Sequence, residues 1–185
     1  YPTRREIEES RLLEGTELVW LRDRLEAYIV HVQGSARLEL PDGSMYRVGY
    51  AGKTDRPYTG LGQMLVKDGR IPSGGLSLTA IKEYFAAHPE ELEGYLARNE
   101  SYVFFTTSEG GPFGSLNIRV LPYRSIATDK AVFPRGCLAM TVVQVPASGG
   151  AGAVGRRPFT QFVLDQDTGG AIRSAGRCDI FMGTG

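Results

Sequence analysis

Cysteine, histidine and tryptophan are scarce in this chain of 185 residues, which contains two, two and one of them. Structural and catalytic metals need Cys or His clustered at short spacings, whereas Cys137, Cys178, His31 and His88 lie far apart in sequence. We therefore expect no metal site and no cofactor. Two cysteines also exclude a disulfide-dense scaffold. Whether they form a single bridge stays open, because sequence gives no distance between them.

An excess of charge of one sign is missing as well, since Lys and Arg number 21 and Asp and Glu also number 21. Nucleic acids and anionic membranes attract basic patches or a positive net charge. We therefore expect no nucleic acid partner, and a neutral partner such as a sugar chain is favoured.

Long apolar runs and a signal-peptide pattern are also missing. No segment approaches the roughly 18 residues that a membrane span needs, and no basic, apolar and small-residue series opens the chain. The chain begins at Tyr1 without Met, which is typical of a processed or trimmed piece. We expect no transmembrane segment in this chain and a targeting segment upstream of it.

Glycine is abundant, with 24 residues, which is about twice the usual share and favours a β-rich fold with many tight turns. The segments Ala36–Leu40 and Tyr46–Tyr50 predict a β-hairpin around the turn Pro41–Ser44.

The capping box Thr3–Glu6 predicts a helix to about residue 13. Glu17–Tyr28 has near-helical spacing, but the next residues are typical of a strand, with the switch near Ala27. Other helices are predicted at Leu61–Lys67, from Ser77 or Thr79 to about Ala87, and from Pro89 to about Asn99.

The pattern changes to strands after Ser101. Five β segments with few helices suggest a barrel, and a loop of Gly, Ala and Ser over residues 146–152 joins two of them. The predicted strands are Tyr102–Phe105, Leu116–Leu121, Cys137–Val145, Phe159–Leu164 and Cys178–Met182.

Three aspartates near glycine or apolar segments are the candidates for chemistry. Cleaving a glycosidic bond needs a carboxyl group that is protonated near neutral pH, which burial can arrange. Asp179 fits best because it begins an apolar strand, where burial can raise its pKa. Asp167 is either a second site carboxylate or the cap of the turn at Gly169–Gly170. Asp129 is typical of a turn residue that pins a loop.

Four segments, VQGSARLELPDGS, RSIATDKAVFPRG, LDQDTGGAIR and GRCDIFMGTG, resemble the membrane-bound lytic murein transglycosylase A family, whose C-terminal part is called the three-aspartate domain. The resemblance implies a mainly β fold, with a family-specific domain over residues 1–104 and a double-psi β-barrel over 105–185. The first domain would be a smaller, β-rich, insert-like domain with a few helices, and a glycan groove would lie between the two. It also implies an exported protein at the periplasmic face of the outer membrane, with a lipid anchor upstream.

The same resemblance implies roles for individual residues. Asp179 would be the catalytic acid and base, Asp167 its assistant, and Asp129 mainly structural. The peptidoglycan strand would contact amide, hydroxyl and ring groups; for the tyrosines, core packing is an equally good interpretation. The expected groove residues are Gln33, Gly34, Ser35, Tyr58, Thr59, Ser101 and Tyr102.

The reaction implied is cleavage of the MurNAc–GlcNAc bond by the C6 hydroxyl of the muramic acid itself, which gives a 1,6-anhydro end. An attached nucleophile needs little more than one well-placed carboxyl group. Two alternatives stay open. One is a hydrolase in which Asp167 activates water, and the other is a wall-binding module that keeps the groove and lacks the chemistry.

Overall fold

The computed structural model describes residues 1–146 and 155–183. It divides into two compact units, Tyr1–Gly110 and Gly111–Gly185. The described chain is mainly β, with seven strands and five short α-helices. Its longest helices have 10 residues, so no helix within the described ranges is long and apolar enough to cross a membrane.

The first helix, α1 (Arg4–Glu9), confirms the predicted capping box. The Thr3 side chain accepts a hydrogen bond from the Glu6 backbone, and the Glu6 carboxylate accepts one from Thr3 in return. The predicted end near residue 13 is wrong, because Arg11 adopts a left-handed φ of 52°. The chain from Ser10 to Gly15 is turn, and Leu12 within it is 60% exposed.

The second helix, α2 (Arg24–Gln33), corrects the predicted strand over Tyr28–Val32. Asp23 caps its first turn, and Gly34 ends it with a left-handed φ of 77°. Leu25 and Tyr28, one turn apart, are both buried. The β-branched residues of this segment favour a strand locally, but the two caps and the buried helical face outweigh that preference.

The strands of the first unit form an antiparallel sheet in the order β1 (Ala36–Glu39), β2 (Met45–Lys53) and β3 (Val103–Thr107). Ala36 pairs with Val48 and Glu39 with Met45, which confirms the predicted hairpin. Asp42 stabilises its turn by accepting hydrogen bonds from the amide and hydroxyl of Ser44.

Three further helices of this unit are α3 (Leu61–Lys67), α4 (Leu78–Ala87) and α5 (Leu92–Ala97). Of the two predicted caps for α4, the structure uses Ser77, whose hydroxyl accepts from the Ala80 amide. The last predicted helix begins as a 3-10 turn, Pro89–Glu91, before α5. Together with α2 these elements enclose the apolar core of the unit, which consists of Leu25, Tyr28, Leu61, Met64, Leu65, Ile71, Phe85, Tyr95 and Leu96.

The strands of the second unit are β4 (Ser125–Thr128), β5 (Leu138–Pro146), β6 (Arg156–Asp167) and β7 (Cys178–Ile180). They form one mixed sheet in the order β5-β6-β4-β7. β6 is antiparallel to β5 and parallel to β4, and β4 is antiparallel to β7. β4 is therefore flanked by the end of β6 on one side and by β7 on the other.

Two strand predictions for this unit need correction. Residues 116–118 are turn and bend, and the chain from there to residue 121 has one isolated bridge, between Phe113 and Arg119, and no strand. The turn forms because Asn117 has a left-handed φ of 57° and its amide donates to the Gly114 carbonyl. β4 was missed because it is short and almost wholly buried, so no alternation marks it. The loop predicted over residues 146–152 lies, beyond Pro146, outside the described residues.

Candidate functional site

A cavity of about 260 Å³ in the second unit brings Asp167 and Asp179 together. The strand register explains how. Ala127 of β4 pairs with Asp167 of β6 on one side and with Asp179 of β7 on the other. Residues that pair across neighbouring strands project from the same face of a sheet, and two strand spacings separate the aspartate Cα atoms by roughly 10 Å. The apolar part of the cavity wall consists of Val120, Ile126, Ala127, Ile172, Ile180 and Phe181.

Asp179 is less buried than its apolar neighbours led us to expect. Its side chain is 47% exposed and forms an ion pair with Arg177. The Arg177 Nε and Nη2 atoms each donate to one carboxylate oxygen at 2.9 Å. The prediction that Asp179 is buried is therefore wrong: β7 is a three-residue strand at the edge of the sheet, and one face of that edge is open.

Asp167 is the more enclosed of the two carboxylates, and burial raises its pKa above the ordinary value. Its Oδ1 accepts a hydrogen bond from the Ser115 amide at 3.0 Å. Asp167 therefore contacts a distant loop as well as the chain at the start of its own turn, where the Thr168 backbone also acts on its carboxylate. That loop lies against β6 at Gly114, where an added Cβ would come within 2.3 Å of the Gln166 carbonyl oxygen.

The raised pKa of Asp167 predicts a pH-dependent gain in stability for Asp167→Asn. A carboxyl group whose pKa is raised by folding contributes stability below its unfolded pKa, about 3.9, and loses that contribution as the pH rises through the folded value. Near pH 7 wild type therefore bears a cost that the amide avoids, and the amide still accepts from Ser115. We expect a higher Tm for the variant near pH 7, and no gain near pH 3.

Asp129→Asn is the matched control, since hydrogen bonds from Ser174 and Ala131 lower the pKa of Asp129. A lowered pKa contributes stability above the unfolded value and loses it as the pH falls through the folded value, so this variant should lose Tm near pH 7 and lose less near pH 3. Thermal unfolding at both pH values measures the two effects. A Tm gain for Asp167→Asn of equal size at both would rule out the burial of its charge as the cause.

Asp129 is 6% exposed and does not line the cavity. Its Oδ1 accepts from the Ala131 amide at 3.0 Å and its Oδ2 from the Ser174 amide at 2.8 Å. Ser174 has a left-handed φ of 99°. Asp129 therefore ties the turn after β4 to the loop between β6 and β7, which leads directly to Arg177.

A buried ion pair lies beside these residues and was not predicted. Lys130 contacts Asp165, whose side chain is 0% exposed. Asp165 Oδ2 accepts a hydrogen bond from the Thr128 hydroxyl at 2.7 Å, and the Cys137 thiol lies 3.9 Å from it. Cys137 and Cys178 are free thiols in this structure.

The residues expected to bind glycan are spread over several elements of the first unit. Gln33 ends α2 and is exposed, Gly34 is its left-handed cap, and Ser35 leads into β1. Tyr58 is half-buried and precedes α3. Within the part of the chain that the structure describes, no hydrogen bond joins any two of these four residues.

Thr59 and Ser101 are brought together by Asn99, a buried residue that sequence reasoning missed. The Asn99 Oδ1 atom accepts from the Thr59 and Ser101 amides, and its Nδ2 atom donates to the Tyr28 hydroxyl. Ser101 itself is only 4% exposed, so its hydroxyl is enclosed rather than displayed.

Tyr102 is partly engaged in packing. The centroid of its ring lies 4.7 Å from the centroid of the His31 ring and 5.0 Å from the Arg4 guanidinium carbon. Burial, followed by the charges of Arg4 and Arg24, lowers the pKa of His31 to about 3. His31 is therefore a neutral packing residue.

One group of side chains in the described residues is close enough to hold a metal ion. Ligand atoms of His88, Glu90 and Glu91 lie within 4.8 Å of one another. Glu91 already accepts a hydrogen bond from Tyr84 and pairs with Arg70, and His88 lies 3.7 Å from Glu90. The Tyr84 hydrogen bond and the Arg70 ion pair account for the position of Glu91.

Comparisons with known proteins define the family. Residues 1–106 match the family described as MltA specific insert domain, and residues 124–185 match the 3D domain. The 3D domain thus contains the cavity strands and all three aspartates. The chain belongs to the family of membrane-bound lytic murein transglycosylase A, abbreviated MltA.

Relatives and solved structures agree with this assignment. The membrane-bound lytic murein transglycosylase A of Vibrio cholerae is 31% identical over 188 residues, which is 100% of this chain and 50% of the relative. The crystal structure of the membrane-bound enzyme from Agrobacterium tumefaciens matches with a TM-score of 0.85 and 33% identity over 99% of this chain and 50% of that one. For Escherichia coli MltA with bound chitohexaose these values are 0.81, 25%, 98% and 54%. The chain spans about half the length of the curated relatives it matches.

Proposed function

We propose that this protein is a lytic transglycosylase that cleaves the MurNAc–GlcNAc β-1,4 bond of peptidoglycan and leaves 1,6-anhydro-MurNAc ends. The observation that carries the proposal is the pair of aspartates on either side of Ala127, in one cavity of a 3D domain. Relatives named lytic murein transglycosylases and the chitohexaose bound to E. coli MltA support it. Peptidoglycan is accordingly the proposed partner.

In this proposal Asp179 acts twice. As a carboxylic acid it donates its proton to the bridging oxygen, the C1–O bond of the muramic acid breaks, and the GlcNAc hydroxyl leaves. The muramic acid's C6 oxygen then forms the new bond to C1, and its proton passes to the Asp179 carboxylate. The acid is thereby restored, and no external reagent is consumed. Because Asp179 is half exposed, a polymer can reach it without the chain unfolding.

Asp167 has a different role in this proposal. It sits on the same face of the sheet across Ala127 and lines the same cavity. A carboxylate at this position can orient the reacting hydroxyl and stabilise positive charge that develops on the sugar. Asp129 serves both residues indirectly, through the loop that it holds at Ser174.

The remaining assignments are proposals of the same kind. Residues 1–104 form the family-specific glycan domain, and residues 105–185 contribute a double-psi β-barrel. The glycan-binding set is the one named from the sequence. The proposed location is the periplasmic face of the outer membrane, with a lipid anchor. Relatives named membrane-bound support its association with a membrane.

A hydrolase is the second candidate, and the strand register is the observation that favours it. A Cα separation of roughly 10 Å across two strand spacings allows the carboxyl groups to lie roughly 6.5–9.5 Å apart. This separation leaves room for a water molecule in inverting glycosidases. A wall-binding module without chemistry is the third.

Mass spectrometry of digested sacculi decides between these candidates, using the protein as its gene encodes it. The proposal predicts muropeptides that end in anhydro-muramic acid, which are lighter by one water than the hydrolytic products. Reducing muramic acid ends would establish the hydrolase instead. Sedimentation with sacculi and no soluble product of either kind would establish the binding module.

A further inference from the structure

Arg177 is fixed at three points around the candidate acid. Its Nε and Nη2 atoms donate to the two oxygens of Asp179, and its Nη1 atom donates to the Ala171 carbonyl, all at 2.9 Å. Ala171 precedes Ile172, which lines the cavity. One guanidinium group therefore links the carboxylate to the opposite end of the loop between β6 and β7.

The sequence spacing produces this contact directly. Arg177 is the residue before β7 and Asp179 is in its middle, and side chains two apart in an extended chain project from the same face. The planar guanidinium matches the two oxygens of a carboxylate, which fixes its direction as well as its position.

Stability does not explain the arrangement. Both side chains are 47% exposed, and ion pairs at such positions contribute little to folding. Of the described residues, only Arg177 hydrogen-bonds to the Asp179 side chain. Without it, the carboxylate would rotate freely at the edge of the sheet.

We propose that Arg177 is a positioning residue that aims Asp179 at the scissile bond, an inference that rests on the proposed role of Asp179 as acid and base. Each carboxyl oxygen has two lone-pair sites, and Arg177 occupies one on each. The other site on each oxygen stays free for the transferred proton. The contact with Ala171 fixes the guanidinium group, and with it the direction of those free sites, relative to the cavity wall.

Removing the guanidinium group should lower the maximal rate, because the Asp179 carboxyl group loses its orientation. Substrate binding should change little, because Arg177 hydrogen-bonds to Asp179 and Ala171 and to none of the residues proposed to bind glycan.

Kinetics of anhydro-muropeptide release by Arg177→Ala, Arg177→Lys and Arg177→Gln test this, in the protein as its gene encodes it. We expect kcat to fall about 100-fold for Ala and Gln, as for a small misplacement of a catalytic group, with KM changed less than about twofold. Lys should retain part of the rate, because it keeps the charge and one hydrogen bond.

Free guanidinium supplies a second readout, because the site of Arg177 is open to solvent. At millimolar concentrations it should restore a measurable part of kcat to Arg177→Ala and leave wild type unchanged. Arg173→Gln is the matched control: this arginine of the same loop donates to the Gly170 carbonyl and to no carboxylate among the described residues. It should keep the wild-type kcat.

Several outcomes would overturn the inference. A wild-type kcat in Arg177→Gln would show that Asp179 needs no orientation. A loss that appears equally in Arg173→Gln, or that guanidinium cannot rescue while Tm falls, would reduce Arg177 to a structural residue. If Arg177→Ala does not fold, Arg177→Lys and Arg177→Gln decide: a kcat for Lys between those of wild type and Gln supports the inference, and equal kcat values for Lys and Gln contradict it. Failure of the proposed function itself is distinct, since wild type would then release no anhydro products.

Discussion

Asp179→Asn is expected to abolish the release of anhydro-muropeptides, with kcat reduced by about 10²–10⁴ or more, the usual contribution of a positioned acid and base. The amide has nearly the same shape but neither donates an acidic proton nor accepts the C6 hydroxyl proton. Of its two hydrogen bonds to residue 179, Arg177 would lose one and keep the other, and its bond to the Ala171 carbonyl would remain. Glycan binding should therefore change little, since no binding group is removed. Product release from sacculi and sedimentation with sacculi measure the two properties separately.

Two further variants make this result specific. Asp42→Asn alters an exposed carboxylate in the turn of the β1–β2 hairpin, far from β7 in sequence, and should leave both properties unchanged. Asp167→Asn should reduce kcat by a smaller factor than Asp179→Asn. The reverse order would contradict the assignment: Asp167, whose pKa burial raises, would then be the acid, and Asp179 the residue that supports it.

Local sequence signals were enough for part of the fold. The hairpin from Ala36, the helix Leu61–Lys67 and the capping box at Thr3 depend on turn residues, caps and periodicity within a few residues. Tyr28–Val32 was assigned wrongly for the opposite reason. Its side chains favour a strand, and only the buried core against which Leu25 and Tyr28 pack decides for a helix.

In the candidate site, too, local sequence signals indicated some residues, and contacts between distant segments remained hidden. The sequence indicated Asp167 and Asp179 as candidates, but it gave no sign that Ala127 lies between them, because β4 is short and buried on both faces. The contact between Ser115 and Asp167 is equally invisible, since it joins residues that are 52 apart. Arg177 could have been noticed: a charge two residues from an acid at the start of a strand lies on the same face.

The largest stability effect is expected from Lys130→Met. Asp165 is fully buried and Lys130 is 15% exposed, so removing the lysine leaves a buried carboxylate whose charge is no longer balanced. Breaking such a pair costs about 3 to 5 kcal/mol of the free energy of unfolding. Thr128 still donates to Asp165, but one hydroxyl hydrogen bond does not replace a charge. Urea titrations, with amide hydrogen exchange of β6 to locate the change, measure this cost.

We expect this effect to be large because the ion pair is buried, and not because a lysine is lost. Two comparisons separate these causes. Lys82 forms an ion pair with Glu26 in which both side chains are about half exposed, so Lys82→Met should cost less than about 1 kcal/mol. The double variant Lys130→Met with Asp165→Asn should recover most of the loss, because neither a lone charge nor an unpaired ammonium remains. A cost for Lys130→Met that matches Lys82→Met would mean that water reaches Asp165. The double variant could instead be no more stable than Lys130→Met. The packing of the lysine stem, and not its charge, would then be what holds β4 and β6 together.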